Sequence, residues 1–492
     1  VTTPRKSWLN TRAVLLIAFA FSVMADPVSS VAYAIEAALR ALDGNLGLLL
    51  PAMGLVVVVV GLVVASYHQL VARFPEGGGA AAATGRAFGE GAAFIPMGAL
   101  VVDFVLTIAI SVSAGASAII SYVPSMAPLR LPLAITLAIV VAGVMWFGHF
   151  GRAVFALLTI VFLVAAALVL TGIVDAPAVT TAPVETLAGA PLTVLLAFPV
   201  AMALATGVEA PSSAIAQLEQ LDNDGRRDFG RWALWLTLGI VGTLTIALTA
   251  SAVHLGVGIP PDNSTMVAEL ARTADSRAVF AFFQAATAML LLSAASSSFQ
   301  AGSGLLKALA RHNRTDIPNH GVLPNFLCRT NSHHTPFVGV VVFLALAVAV
   351  VALAGAEDQR LVLFYAVSVF VSFVAGLISM AKFEWHDRQW GWVVINGLAT
   401  IAVGFTLVMN LTRPAAVVSL ACTAMVAGGL YIAWVRAGRP RGTSHAVAEA
   451  EAGEPDDVPL APADAETAAL LREESRAQVP ARRPKTKRDT ER

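Results

Sequence analysis

Charge is what this sequence has least of for its size. Only 13% of its 492 residues are Asp, Glu, Lys or Arg, against roughly a quarter in soluble globular chains. Half the usual density cannot cover a body this large with water-facing groups, so an ordinary soluble fold is excluded and lipid is the remaining apolar surrounding. The 32 basic and 32 acidic residues cancel, which leaves no net charge to hold a nucleic acid. Cysteine is almost missing. Cys328 and Cys422 stand far apart, which excludes a disulfide framework and a thiolate metal site and reads both as packing residues. A nucleotide loop is missing too: Gly77-Gly78-Gly79 has no Lys-Ser or Lys-Thr after it and reads as a tight turn. With no nucleophile–base set and no metal cluster in sight, neither an enzyme nor a bound cofactor is expected.

What is present is apolar sequence: 57% of residues are hydrophobic, and mean hydropathy is +0.74. A spanning helix needs about 20 mainly apolar residues at ~1.5 Å each. Candidate spans fall at 13–41, 46–73, 92–122, 131–147, 153–174 and 190–215, then at 231–256, 278–309, 336–354, 360–382, 391–410 and 414–436. Arg5, Lys6 and Arg12 precede the first apolar run, but the run continues to about Leu42 without an Ala-x-Ala site, so it reads as a span and not a leader. With the N-terminus inside, the inner segments hold Arg73, Arg86, Arg152, Arg226, Arg227, Arg231, Lys307, Arg311, Arg314, Arg329, Lys382 and Arg388. The outer ones hold only Arg40, Arg130, Arg272, Arg277, Arg360 and Arg413, and 175–189 is acidic through Asp175 and Glu185. Basic residues favour the inside, so both termini are expected to be cytoplasmic in an inner or plasma membrane. From 437 to 492 the chain turns to Ala, Glu, Asp and Pro, then to Arg, Lys and Glu; a disordered cytoplasmic tail is expected there. Its basic end (Arg482, Arg483, Lys485, Lys487, Arg488) is either solvated or laid on anionic lipid.

Two spans carry acids and prolines at mid-depth. The first contains Ala25-Asp26-Pro27-Val28-Ser29-Ser30, and the sixth contains Thr206-Gly207-Val208-Glu209-Ala210-Pro211-Ser212-Ser213. Proline removes a backbone donor, and an acid at the bilayer centre costs at least ~2.5 kcal/mol. Both stretches therefore predict unwound segments lining a polar cavity, with Pro27, Ser29, Ser30, Gly207 and Pro211 as the breaking residues. The breaks open spans one and six, as they would if 13–174 and 190–382 were two five-helix repeats followed by peripheral helices at 391–436. Other polar positions leave alternatives open. Ser293, Ser296, Ser297 and Ser298 either line a cavity or pack helices; Glu36 is a gate-side or an interfacial residue; His254 reads as interfacial, and His149-Phe150-Gly151-Arg152 as a short inner turn.

Across residues 10–436 the chain resembles the amino acid–polyamine–organocation transporter superfamily. The resemblance rests on Phe74-Pro75-Glu76-Gly77-Gly78-Gly79, Ala205-Thr206-Gly207-Val208-Glu209-Ala210, Leu363-Phe364-Tyr365-Ala366-Val367-Ser368-Val369-Phe370 and Ile395-Asn396-Gly397-Leu398, in that order. It implies an all-α membrane protein of LeuT type: a 5+5 inverted repeat and two further helices, twelve in all. The glycine-rich break that receives a carboxylate in many amino acid carriers is replaced by Met24-Ala25-Asp26-Pro27-Val28-Ser29-Ser30-Val31-Ala32-Tyr33. That stretch is similar to the KimA-type potassium–proton symporter branch. The likeness implies a cation held by Asp26 and Tyr33, by Thr107 and Ser111 on the third helix, by Thr206 on the sixth and by Tyr365 on the tenth. It implies proton coupling at Glu209. Asp103-Phe104 stands where that branch carries tyrosines, which marks Asp103 as a selectivity position. The tail is also too short for that branch's folded cytosolic regulatory domain.

The expected function is alternating-access transport, a proton-coupled uptake of a small cation with potassium first. The alternative is an amino acid or polyamine permease of the same fold. The expected partners are the solute, the proton and the bilayer, with no nucleic acid; a homodimer is compatible with all of this.

Overall fold

A computed structural model of the protein describes residues 5–148, 152–174, 176, 190–218, 220–274, 276–310 and 321–452. The expected inner turn at 149–151, the outer segment at 177–189, Arg311, Arg314 and the basic tail end lie outside the described residues. All regular structure among the described residues is helical. α1 (Arg5–Val23) and α2 (Ala25–Ala41) form the first span, α3 (Leu46–Arg73) the second, and a short α4 (Gly79–Phe88) leads to the third, α5 (Phe94–Tyr122). α6 (Arg130–Trp146) and α7 (Arg152–Ile173) follow, and α8 (Ala190–Ala201) with α9 (Ala210–Ala214) makes the sixth span. After α10 (Asn223–Leu255) a short α11 (Met266–Thr273) leads to α12 (Arg277–Ala310), α13 (Phe337–Ala354) and α14 (Asp358–His386). α15 (Trp390–Asn410) and α16 (Pro414–Arg436) complete the spans, and α17 (Ala446–Ala452) ends the described chain. Among the described residues twelve helices are long and apolar enough to cross a membrane, as the sequence predicts.

Helices are the form that apolar sequence must take in lipid, because every backbone group is then satisfied within its own segment. Their ends fall where local chemistry supplies partners. Asn45 accepts from Gly47 N at 3.1 Å and Asp222 from Gly225 N at 2.9 Å, starting α3 and α10. Gly256 and Gly355, at φ 67° and 68°, terminate α10 and α13 in the left-handed conformation.

The repeat is visible in the element order. In each set of five spans the first is interrupted, and a short helix joins the second to the third: α4 in one set, α11 in the other. Five is odd, so the second set runs inverted across the membrane and its short helix lies on the opposite face. At the centre α5 packs along α12 and α14. The apolar window of the third span is 78% buried, whereas those of α15 and α16 are 22% buried, which puts the last two spans at the periphery.

The turn after α3 bears directly on the site. Gly77, Gly78 and Gly79 take φ of 89°, 90° and 51°. A Cβ on Gly77 would stand 2.7 Å from the Ser213 carbonyl oxygen and 2.9 Å from Ala216 Cβ, so this turn presses against the second half of the sixth span. Gly77→Ala combines a disfavoured φ with overpacking, and should cost about 1–3 kcal/mol. Thermal unfolding of the purified variant should show a lower midpoint than the parent; an unchanged midpoint would mean the turn is not packed this way.

The start of the tail departs from expectation. Residues 443–445 form a 3₁₀ turn and 446–452 the helix α17, where disorder is expected from 437. Ala446, Val447 and Ala448 are buried, and α17 packs on α12, α9 and α4. The small apolar residues ahead of the acidic stretch give the chain a surface to bury, which composition averaged over the whole tail conceals.

Candidate functional site

The first break is a kink and not an unwound stretch. Pro27 has no N–H to offer the Val23 carbonyl four residues earlier, so the ladder fails at Met24 and α2 begins at Ala25. Asp26 and Pro27 thus fall in a first helical turn, where unpaired N–H groups are normal. The ladder is otherwise kept, with Met24 N on Ala20 O at 3.1 Å and Val28 N on Met24 O at 2.9 Å. Ser29 and Ser30, expected to break the helix, are helical. Their hydroxyls donate to the Asp26 carbonyl at 2.7 and 3.2 Å, and Ser30 Oγ lies 2.7 Å from Tyr33 Oη.

The sixth span is fully interrupted. α8 tightens into a 3₁₀ turn at Met202–Ala205, Thr206 is extended (φ −60°, ψ 139°), and Gly207 is left-handed at φ 70°. α9 restarts at Ala210 with Pro211 in its opening turn. The Thr206 hydroxyl donates to Ala203 O at 2.8 Å and serves this turn. The two breaks touch. A Cβ on Gly207 would lie 2.7 Å from Asp26 Oδ2 and 2.8 Å from Pro27 Cδ. Gly207→Ala should therefore reach the membrane but lose transport by about tenfold or more, since ~1–3 kcal/mol of strain falls on the Asp26 carboxylate. Uptake equal to the parent's would show that the two breaks are not packed as described.

A cavity of about 160 Å³ opens beside this contact. Asp26, Asp103, Gly207 and Glu209 line it, together with Ser22, Ser213, Gln217, Ser297, Ser298 and Gln300. Glu209 Oε2 is buried without a hydrogen-bond partner among the described residues. Asp103, Thr107 and Ser111 repeat every fourth position of α5 and are buried, which sets them along one stripe of that helix. Among the described residues no lysine, arginine or histidine lines the cavity. Carboxyls arranged around one small space repel each other unless a cation or proton lies among them, so the lining selects for positive charge. The acids do not converge tightly: among the described residues no three His, Cys, Asp or Glu are grouped as a metal cage.

The structure thus brings Asp26, Asp103, Gly207 and Glu209 to one space. Tyr33, Thr107, Ser111 and Thr206 are buried but are not among the residues that line it. The side chain of Tyr365 lies outside the described residues. The serine run divides: Ser297 and Ser298 line the cavity, Ser293 donates to Leu290 O at 2.7 Å, and Ser296 donates to Met145 Sδ at 2.8 Å.

Past the breaks, away from the termini, polar contacts seal the bundle. Glu36 is buried and accepts from Arg40 Nε at 2.9 Å and from Met266 N, at the start of α11, at 3.1 Å. Asp358 accepts from Ser117 Oγ at 2.8 Å and from Gln359 Nε2 at 3.1 Å. Arg130 Nη1 donates to that same Ser117 Oγ at 2.7 Å and stands 3.8 Å from Asp358 Oδ1. Glu36 is therefore buried between helices and tied to the start of α11, not exposed at an interface. Arg130, Asp358 and Gln359 were not singled out by the sequence, since at span ends they look like ordinary interfacial charges.

Two broken spans meeting at a cavity that three acids line, among the twelve membrane-length helices of the described residues, define a multi-pass membrane transporter. The chain belongs to the amino acid permease family, whose model matches residues 14–435, within the amino acid–polyamine–organocation superfamily. It is 30% identical over 343 residues to the potassium transporter KimA of Bacillus subtilis strain 168. That match takes in 67% of this chain and 54% of the relative, so the chain spans about half the length of that curated protein. Among solved structures, a mutant of the Eremococcus coleocola manganese transporter matches at 12% identity and a TM-score of 0.46, over 89% of this chain and 97% of that one. The same transporter in complex with an aromatic bis-isothiourea substituted compound matches at 13% identity and 0.46, with the same coverage.

Proposed function

We propose that the protein is a proton-coupled symporter that takes up a small monovalent cation, potassium first, by alternating access. The observation that carries this reading is the cavity's lining, where Asp26, Asp103 and Glu209 face one space with no basic side chain among the described residues. Potassium has no directional chemistry and needs several oxygen ligands. Carboxyls, serine hydroxyls and glutamine amides supply them in a space of this size. Asp26, next to the kink, is the cation's partner. Glu209, at the interruption of the sixth span, carries the coupled proton, and Asp103 tunes selectivity. The likeness to a protein named as a potassium transporter supports the same choice. With both termini cytoplasmic, the sealed network around Glu36, Arg130 and Asp358 is the outer closure and the cavity faces inward.

A second reading, a permease for amino acids or polyamines, is favoured by the description of the matching family. There Asp26 would receive the substrate's ammonium group. The test is uptake into proteoliposomes at an imposed pH gradient, comparing labelled rubidium with a panel of labelled amino acids and polyamines. Rubidium uptake driven by protons is the expected result. Uptake of an amine or amino acid without rubidium would move the chain to the permease reading.

A further inference from the structure

The cavity's lining includes two residues from outside the twelve spans. Val447 and Ala450 of α17 line it together with Asp26, Asp103 and Glu209. We propose that residues 440–452 are an inhibitory plug: the chain's own segment occupies the inner mouth of the cavity and must withdraw for solute to pass. This rests on that cavity being the transport path, and is independent of which solute travels.

The seat is built on both partners. Glu90, at the start of the third span, accepts from Gly442 N at 3.1 Å, Thr443 Oγ1 at 2.8 Å, Ser444 N at 2.9 Å and Ser444 Oγ at 3.3 Å. A single carboxylate thus holds the whole turn that launches α17. Just before it, Trp434 Nε1 donates to Pro440 O at 2.9 Å, which fixes where the segment leaves the twelfth span. Glycines clear the floor. A Cβ on Gly85 would stand 2.5 Å from Ser444 Cβ, and one on Gly304 would stand 3.1 Å from Ala450 O. α17 rests at once on α12 and on α9, the half-helix that follows the second break. A wedge touching both holds them at a fixed separation and also narrows the opening.

The attachment pairs the Glu90 carboxylate with a small apolar seat, in which Ala446 and Val447 pack with Phe94, Met97, Leu305 and Leu309. Among the described side chains of α17, burial falls on Ala446, Val447 and Ala448, and the carboxylate that holds the turn before them is Glu90 of the transporter body. The segment has no residue in the bundle's main core and sits on this smaller, separate cluster.

The test uses the full-length protein with Cys328→Ser, Cys422→Ser and Ser213→Cys, so that one thiol reports from the cavity wall. Its rate of modification by 2-aminoethyl methanethiosulfonate, added from the inner side, measures access to the cavity and does not depend on the substrate. Glu90→Ala in this background removes the anchor and should speed modification by about tenfold or more, the worth of a single charge-assisted hydrogen bond. Ser444→Phe, which overpacks the turn against Gly85 and leaves the spans untouched, should do the same. Faster modification in either variant supports the plug. Modification at the parent's rate in both would overturn it, whatever the proteoliposome assay says about rubidium.

Discussion

Glu209→Gln should abolish proton-driven accumulation of the solute while the protein still folds and inserts. The amide keeps the volume and reach of the acid, so packing at the interrupted sixth span is preserved. What disappears is a site that binds and gives up a proton beside the cavity. One pH unit across the membrane is worth about 1.4 kcal/mol per proton, enough to hold the solute about tenfold concentrated at one proton per cycle. In the variant that ratio should collapse to equilibration, although downhill exchange of the solute continues. The measurement is accumulation in proteoliposomes with and without the gradient. Full proton-driven accumulation by Glu209→Gln would remove this residue from the coupling.

Asp26→Asn should have the second large effect, on affinity and not on coupling. Removing one charge of a partly buried pair costs about 3–5 kcal/mol, which corresponds to ~10²–10⁴-fold in apparent affinity. Asp43→Asn is the matched control. It makes the same chemical change at an exposed loop position with φ 51°, a conformation that asparagine tolerates, so uptake should be unaffected. Concentration dependence of rubidium uptake separates the two, and equal effects would sink the assignment of Asp26 to the cation.

Spans, repeats and the presence of an interruption in the sixth helix were legible in the sequence because each has a one-dimensional signature. Apolar length gives the span, and an acid and a proline at mid-depth mark a defect. The shape of the first break was not legible. Asp26-Pro27 signals a loss of one hydrogen bond, but whether the helix unwinds or merely restarts depends on the next turn, and Val28 N reaching Met24 O lets it restart. Gly207 reads as a helix-breaking residue; that its backbone presses on the Asp26 carboxylate is a contact between residues 181 positions apart in a 492-residue chain, invisible to any local pattern. The same holds for the polar network at Ser117. Arg130 opens the fourth span and Asp358 the tenth, and only folding sets both on Ser117. The tail misled for another reason. Its average composition is that of a disordered segment, and the few small residues that dock are outnumbered by the charged ones that follow.

The most direct test of the central claim, that this acid-lined cavity carries a cation and a proton inward together, is a lumenal pH measurement. The protein is reconstituted into vesicles containing a pH-sensitive dye, and external potassium is added as the salt of a permeant anion. The account predicts that the lumen acidifies with potassium and not with sodium, and that Glu209→Gln abolishes the signal. A lumen that stays at constant pH with potassium but acidifies with an amino acid or polyamine would contradict it.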